Sequence, residues 1–250
     1  MVDVTPVPDR ERLVPRRERL RTATLVEIKQ AARRLLVEGG PHAISLRAIA
    51  RDMGMTAPAI YRYFDSLDAL IFELAGDLYD EMRETVVAAR DVDPAADPID
   101  RLVSMARAFR RWSLANPAEF GLLFGAPLPG IAAFEEDCHN LENAGARFGA
   151  AFIEVFAQLP TPPAGSPLAP PPEVISADLL PCAGPLFTTH GDLPPALLYL
   201  YLNAWVRLYG LVAMEVFGHL KWGLSEVEPL FETEVAAFVH QLTGTTARKL

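Results

Sequence analysis

The sequence predicts an all-α protein in two parts: a small N-terminal three-helix domain containing a helix-turn-helix, and a larger, wholly helical C-terminal domain. Three observations predict it. Apolar residues recur at helical spacing between Gly and Pro breaks from Leu25 to Leu242. Residues Ser45 to Phe64 read as two short helices around a tight turn. Charge is divided: residues 10–64 hold twelve Arg/Lys and five Asp/Glu, residues 65–250 hold eleven and twenty-five, and the whole chain carries −9. A basic head on an acidic body is the asymmetry of a protein that docks one end on phosphate.

Residues 1–21 are expected to be a flexible arm. Prolines at 6, 8 and 15 discourage helix, and Arg10, Arg12, Arg16, Arg17, Arg19 and Arg21 crowd its second half. Two readings stay open: a disordered tail, or an arm that lies on a nucleic-acid backbone or enters a minor groove. Thr22 or Thr24 opens the first helix; Leu25, Ile28, Ala32, Leu35 and Leu36 form its core face, and Gly39-Gly40-Pro41 stops it. In the next segment Leu46, Ile49, Ala50 and Met53 fall at i, i+3, i+4 and i+7. Ser45 stands at the N-cap, and Gly54 supplies the positive φ that turns the chain. Thr56 is placed to cap the second helix, Pro58 is tolerated in its first turn, and Ile60 and Phe64 hold it against the first. That leaves Thr56, Ala57, Pro58, Ala59, Tyr61 and Arg62 facing outward. Small residues at a helix tip with Tyr and Arg behind suit a major groove, where the tip meets base edges and the polar groups reach phosphates. Tyr61 and Tyr63 are placed for phosphate hydrogen bonds, and Ser45 and Arg47 complete the expected DNA-facing set.

The run IARDMGMTAPAIYRYFDSLDAL resembles the N-terminal domain of the TetR (tetracycline repressor-like) transcriptional regulators. It shares their Ile-Ala pair, Gly-apolar turn, Ile-Tyr-x-x-Phe and following Ser-x-x-x-Leu, and the likeness spans about residues 22 to 75. It implies a DNA-binding domain at 22–66, a regulatory and dimerisation domain at 67–250, and double-stranded operator DNA as partner. It also implies that Arg47 reads guanine, as an Arg does in some relatives. Leu67 stands where many members carry a Lys on the DNA backbone, so one phosphate contact is missing or comes from elsewhere.

Ser66 starts the fourth helix, with Leu70, Leu74, Leu78 and Met82 on one side. In the family this helix joins head to body, and its tilt sets the spacing of two recognition helices. Asp91 to Pro98 breaks it, and Asp97-Pro98 starts the next. From Ile99 to Leu114, Leu102, Met105, Ala106 and Phe109 face inward. Arg107, Arg110 and Arg111 sit around them, as a solvated face or as groups that meet an acidic ligand or a partner subunit. Asn116-Pro117 begins a short helix holding Phe120, Leu123 and Phe124, closed by Gly125 to Gly130. A long helix is expected from Ile131 to Leu159, and residues 160–173 read as a Pro-rich connector. Residues 174–191 are open between a broken helix and a packed loop.

Pro194-Pro195 introduces a long apolar helix to about Lys221; Ser225 and Glu228 form a capping box for the last helix, which Gly244 ends. The segment NAWVRLYGLVAMEVFGH resembles a C-terminal domain within the family marked by Trp-x-x-x-His-Gly; Trp205 and Gly210 match, and Tyr209 replaces the His. The last two helices are too hydrophobic for a solvated surface. The resemblance implies a homodimer in which they form a four-helix bundle with their copies, with Leu211 and Phe238 facing the partner. Met105, Phe109, Trp112, Phe120, Phe124, Phe148, Phe152, Trp205 and Tyr209 bring bulky side chains from four helices. They either leave a cavity or fill an aromatic core. The family resemblance places the inducer in such a space, with Tyr209 or Trp205 offering hydrogen bonds.

No apolar run reaches the ~18 residues of a membrane span, so no membrane partner is expected. The charged, proline-containing start is not a secretory signal. Cys138 and Cys182 match no zinc spacing and read as reduced cytoplasmic thiols. There is no Gly-x-Ser-x-Gly, Gly-rich phosphate loop or His-Glu-x-x-His. Cys138 and His139 diverge by about 100° on a helix and cannot chelate together, and His190, His219 and His240 are isolated. No catalytic residue, cofactor or metal is expected. The expected function is a homodimeric DNA-binding transcriptional repressor released from its operator by a small, largely apolar ligand. The alternative is a regulator without a small-molecule inducer, controlled by a protein partner. An internal apolar cavity favours the first and a filled core with an exposed patch the second.

Overall fold

The computed structural model describes residues 15–125, 139–162 and 193–243. Among these residues there are nine α-helices, one 3-10 turn and no strand. The chain divides into two compact units, Met1–Leu74 and Ala75–Leu250.

In the first unit α1 spans Arg16–Gly39, a 3-10 turn Pro41–Ala43, α2 Leu46–Asp52 and α3 Ala57–Ile60. Helix α1 starts at Arg16, six residues ahead of the Thr22 expected from the sequence. Past Pro15 the segment RRERLR consists of good helix formers. The hydroxyls of Thr22 and Thr24 donate back to the carbonyls of Glu18 (3.1 Å) and Leu20 (3.0 Å), as interior helical residues do, and cap nothing. Residues 16–21 of the expected arm are therefore helical, and its residues 1–14 lie outside the described part. Ile28, Ala31, Ala32 and Leu36 of α1 are fully buried, with Ile49 and Ile60 of the helix-turn-helix likewise closed to solvent. Gly40, at φ +71°, turns the chain out of α1.

Helix α4 (Leu67–Arg90) starts in the first unit and ends in the second. Ser66 caps it, its Oγ accepting the Ala69 amide at 3.0 Å. The second unit continues with α5 (Pro98–Ala115), α6 (Pro117–Phe124), α7 (His139–Phe156), α8 (Pro195–Val216) and α9 (Glu228–Thr243). Asp97 caps α5 through the Ile99 amide at 2.8 Å. The helix expected from Ile131 is described from His139; Cys138, Cys182, His190 and most of the Pro-rich stretch lie outside the described residues.

Two ends differ from expectation. Helix α8 stops at Val216, not near Lys221, because Gly218 adopts φ +71° and closes a Schellman motif: His219 N–H to the Met214 carbonyl (2.8 Å) and Gly218 N–H to the Glu215 carbonyl (3.0 Å). Helix α9 starts at Glu228 itself, which removes the Ser225–Glu228 capping box. Helix α8 is long and apolar enough to cross a bilayer by length and composition, with a mean hydropathy of 1.3. Its two ionised side chains are instead held by neighbours: Arg207 pairs with Glu234 of α9 and Glu215 with Arg110 of α5, each at 2.8 Å or less.

Those pairs answer what the α5 arginines do. Arg107 grips Glu232 of α9 in a two-pronged contact (2.6 and 2.9 Å), Arg110 grips Glu215 of α8, and Arg111 is exposed. Arg107 and Arg110 are thus committed to carboxylates of the same chain, and Arg111 alone of the three stays on a solvated face. The Arg107 hydrogen bond, with its charge, holds the Glu232 carboxyl below its usual range despite partial burial. A depressed carboxyl contributes stability above its unfolded pKa and loses it as pH falls through the folded value. Glu232→Gln is therefore expected to lower the melting temperature at neutral pH, with the gap to wild type narrowing as pH falls from ~7 to ~3. A gap that stays constant across that range would show that the pair contributes no pH-dependent stability.

Candidate functional site

The helix-turn-helix is built as its sequence demands at three of four control points. Ser45, extended at φ −153° and ψ 150°, accepts the Ala48 amide at 3.1 Å and opens α2. Gly54, at φ +64°, closes α2 in a Schellman motif: Met55 N–H to the Ala50 carbonyl (2.8 Å) and Gly54 N–H to the Arg51 carbonyl (3.2 Å). Ile60 and Phe64 are buried and anchor α3 and the turn after it. The fourth point differs. Thr56 occupies the N-cap position of α3, yet its hydroxyl accepts no capping hydrogen bond. The cause is local: Pro58 has no N–H to give, and the Ala59 amide goes to the Thr56 backbone carbonyl at 2.9 Å. The Thr56 hydroxyl is left for solvent or a ligand.

Of the expected DNA-facing residues, Ser45, Arg47, Thr56, Pro58, Tyr61 and Arg62 are exposed, while Ala57, Ala59 and Tyr63 are half-buried. Tyr61 is 52% exposed although its neighbour Ile60 is fully closed. Helix α3 is only four residues long, and 61–63 continue as turns whose amides reach back to Ala59 and Ile60. Among the described residues no carboxylate pairs with Arg47, Arg51 or Arg62, whereas Arg34 pairs with Asp52 at 2.7 Å.

In the body, Phe109, Phe120, Phe124, Phe148, Phe152, Trp205 and Tyr209 converge, but ring against ring. Phe109 lies 6.2 Å from Phe120, 6.2 Å from Phe124, 5.9 Å from Phe148 and 5.6 Å from Trp205, centroid to centroid. Phe120 and Phe124 approach to 4.9 Å, and Trp205 stacks on Tyr209 at 5.8 Å. These are separations of favourable aromatic pairs. Phe109, Phe120 and Met105 are wholly closed to solvent. Two polar groups are also taken: Tyr209 donates its hydroxyl to the Phe124 carbonyl (3.1 Å), and Trp112 Nε1 donates to Glu81 (2.9 Å). Tyr79, which the sequence did not single out, joins the cluster against Phe124 and Phe148. Burial, then the nearby Tyr209, push its hydroxyl up to about 12.

The open space lies beside this cluster. A cavity of about 100 Å³ is bounded by α5, α7, α8 and α9, with Val103, Ala106, Phe156, Tyr201, Leu208, Leu211, Val235 and Phe238 among its walls. Of the nine residues expected to bind ligand, only Phe152 and Trp205 line it. Leu211 and Phe238, expected to face a partner subunit, also line it and are half-buried. The Arg207–Glu234 pair supplies its polar rim, and Arg207 lies 5.3 Å over the Phe238 ring. Val235, Phe238 and Leu242 fall on one face of α9, and α5, distant in the chain, forms the opposite wall.

Fold and head together define a helix-turn-helix regulator carrying a helical body. A family model described as tetracyclin repressor-like, C-terminal domain, matches residues 102–238, and one for bacterial regulatory proteins of the tetR family matches residues 28–74. The chain belongs to the TetR family of bacterial transcriptional regulators. It is 41% identical over 120 residues to the HTH-type transcriptional regulator Rv1816 of Mycobacterium tuberculosis, a match covering 48% of this chain and 51% of that protein. The match thus spans about half the length of such curated relatives. A crystal structure of a protein designated SCO4313 is 30% identical, with a TM-score of 0.66 over 90% of this chain and 99% of that one. A protein of unknown function from Rhodococcus sp. RHA1 shares the fold at 19% identity and a TM-score of 0.60, over 87% of this chain and 94% of its own.

Proposed function

We propose that this regulator is a homodimeric repressor that holds double-stranded operator DNA through α2 and α3 and releases it when a small, largely apolar ligand enters its body. One observation carries the DNA reading: Arg47, Thr56, Pro58, Tyr61 and Arg62 are exposed around the buried anchors Ile60 and Phe64, and both arginines lack a carboxylate partner among the described residues. Unpaired guanidinium and hydroxyl groups on a short helix fit base edges and phosphates. Footprinting on the DNA upstream of the protein's own gene tests it. Protection of two half-sites one helical turn apart, or a multiple of that, is expected; uniform cleavage across the region would sink the reading.

Within the footprint, Arg47→Ala is expected to relax base preference at one symmetric position, by ~1–3 kcal/mol against the wrong base. Tyr61→Phe removes a phosphate hydrogen bond and weakens all sequences alike. A base-preference profile unchanged in Arg47→Ala would reduce Arg47 to a phosphate anchor.

The homodimer is supported by α8. Val206, Gly210, Ala213, Met214 and Phe217 fall at i, i+4, i+7, i+8 and i+11, an outward apolar stripe in which Val206 is 66% exposed. The ligand reading is supported by the cavity, whose walls call for a small apolar molecule with the Arg207–Glu234 pair at its rim. Coupling requires the ligand to favour one arrangement of the protein over the one that grips DNA. Such a protein acts in the cytoplasm. Control by a protein partner stays as a second reading because Trp222, on the turn between α8 and α9, is 89% exposed beside Leu224.

A further inference from the structure

We propose that the first turns of α1, joined to the turn that follows α3, form a second phosphate-binding strip that grips duplex DNA outside the bases addressed by α3. The proposal rests on the reading that α3 docks on DNA. Arg16, Arg17 and Arg21 of α1 share one open groove with Arg62 and Tyr63, and among the described residues Glu18 is the only acid in its walls. Three features point to a polyanion there.

First, the arginines lack counter-charges. Among the described residues, Arg16, Arg17, Arg19, Arg21 and Arg62 have no carboxylate partner. In the second unit Arg90, Arg107, Arg110, Arg147 and Arg207 each hold one. Second, the strip is tied to the DNA-facing element: Arg21 Nη1 donates to the Arg62 carbonyl at 3.5 Å, and its guanidinium lies 5.5 Å over the Tyr63 ring. Third, folding alone disfavours this arrangement. The positive end of the helix dipole lies at the start of α1, where cations are destabilising, yet the segment reads RRER. Clustered like charges that repel one another and oppose the helix are offset once regularly spaced phosphates bind. Because the strip includes the residues that immediately follow α3, the phosphates it meets are those of the same duplex.

The test uses the full chain and a fluorescein-labelled, mixed-sequence DNA duplex, since backbone contacts are independent of sequence. Anisotropy gives the binding constant across a range of salt. The variant is Arg16→Gln with Arg17→Gln: both side chains are exposed, neither makes the Arg21 contacts, and Gln keeps the helix. Arg111→Gln, exposed in the second unit, is the control for lost charge alone. The slope of log K against log salt is expected to shrink by about 1.8 for each protomer engaged, at ~0.9 per contact. Over a fourfold rise in salt the variant then loses about twelvefold less affinity than wild type. The control should keep the wild-type slope. A variant slope equal to wild type overturns the proposal while leaving DNA binding by α3 standing, as does an equal fall in Arg111→Gln. Wild type that fails to bind any duplex would overturn the underlying reading as well.

Discussion

Val206→Asp combined with Met214→Asp yields a folded monomer whose affinity for a duplex carrying both half-sites falls by a factor on the order of 10²–10⁴, the gain that two linked heads provide over one. The size of the effect follows from where the two side chains sit. One face of α8 is committed within the protomer: Tyr201, Leu208 and Leu211 line the cavity, and Trp205 and Tyr209 lie in the ring cluster. On the opposite stripe Phe217 reaches Phe120 at 5.8 Å, while Val206 and Met214 stay open to solvent. Val206 and Met214 are 66% and 42% exposed, and a side chain built at Gly210 would meet nothing within 4 Å. Carboxylates there leave the core of the monomer intact, but in a two-fold interface each appears twice and must give up its water. Light scattering reads the mass, and anisotropy with the two-site duplex reads the affinity. A dimer that survives both substitutions would place the interface on another surface. Leu211→Asp, by contrast, strikes the cavity wall and is expected to destabilise the protomer itself.

What the sequence discloses here is what local chemistry controls. Ser45, Gly54, Ile60 and Phe64 act within a few residues of themselves, so the helix-turn-helix is legible from its own twenty residues. So are the starts at Asp97-Pro98 and Ser66, where one side chain takes up one free amide. Threonine misleads for the same local reason: its hydroxyl serves equally well as a cap or as a donor to the carbonyl four residues back, and Thr22 and Thr24 do the second. Gly218 is hidden because it interrupts an apolar run whose composition continues past it. The body's arrangement is less legible still. Arg107 meets Glu232 across 125 residues and Arg110 meets Glu215 across 105, and no spacing rule connects such partners. The number and helical spacing of the Phe residues, Trp205 and Tyr209 point to one shared cluster. Whether gathered rings leave space or fill it depends on their mutual tilt, which only the fold determines.

A phenylalanine at Ala106 is tolerated, while the same residue at Ala151 lowers stability by ~1–3 kcal/mol, the usual penalty of over-packing a filled core. The two alanines lie on neighbouring helices and differ in what surrounds them. Ala106 faces the 100 Å³ cavity, where an added ring replaces empty apolar space and gains contacts. Ala151 is 4% exposed on α7 and does not border the cavity, so a ring there must displace its neighbours. For a domain of this size the Ala151→Phe loss corresponds to a drop of roughly 2–4 °C in Tm per kcal/mol. Thermal melts of the free proteins therefore separate the sites before any ligand is known. Function should separate them in the opposite sense. An environment-sensitive apolar dye is expected to bind wild type and Ala151→Phe, and to fail with Ala106→Phe because the ring already fills its site. Operator affinity of Ala106→Phe then shows whether filling the cavity mimics the ligand, by releasing DNA, or only blocks it. Equal destabilisation of both variants would mean that the cavity has no room for a ring. Dye binding retained in Ala106→Phe would move the ligand site off this cavity altogether.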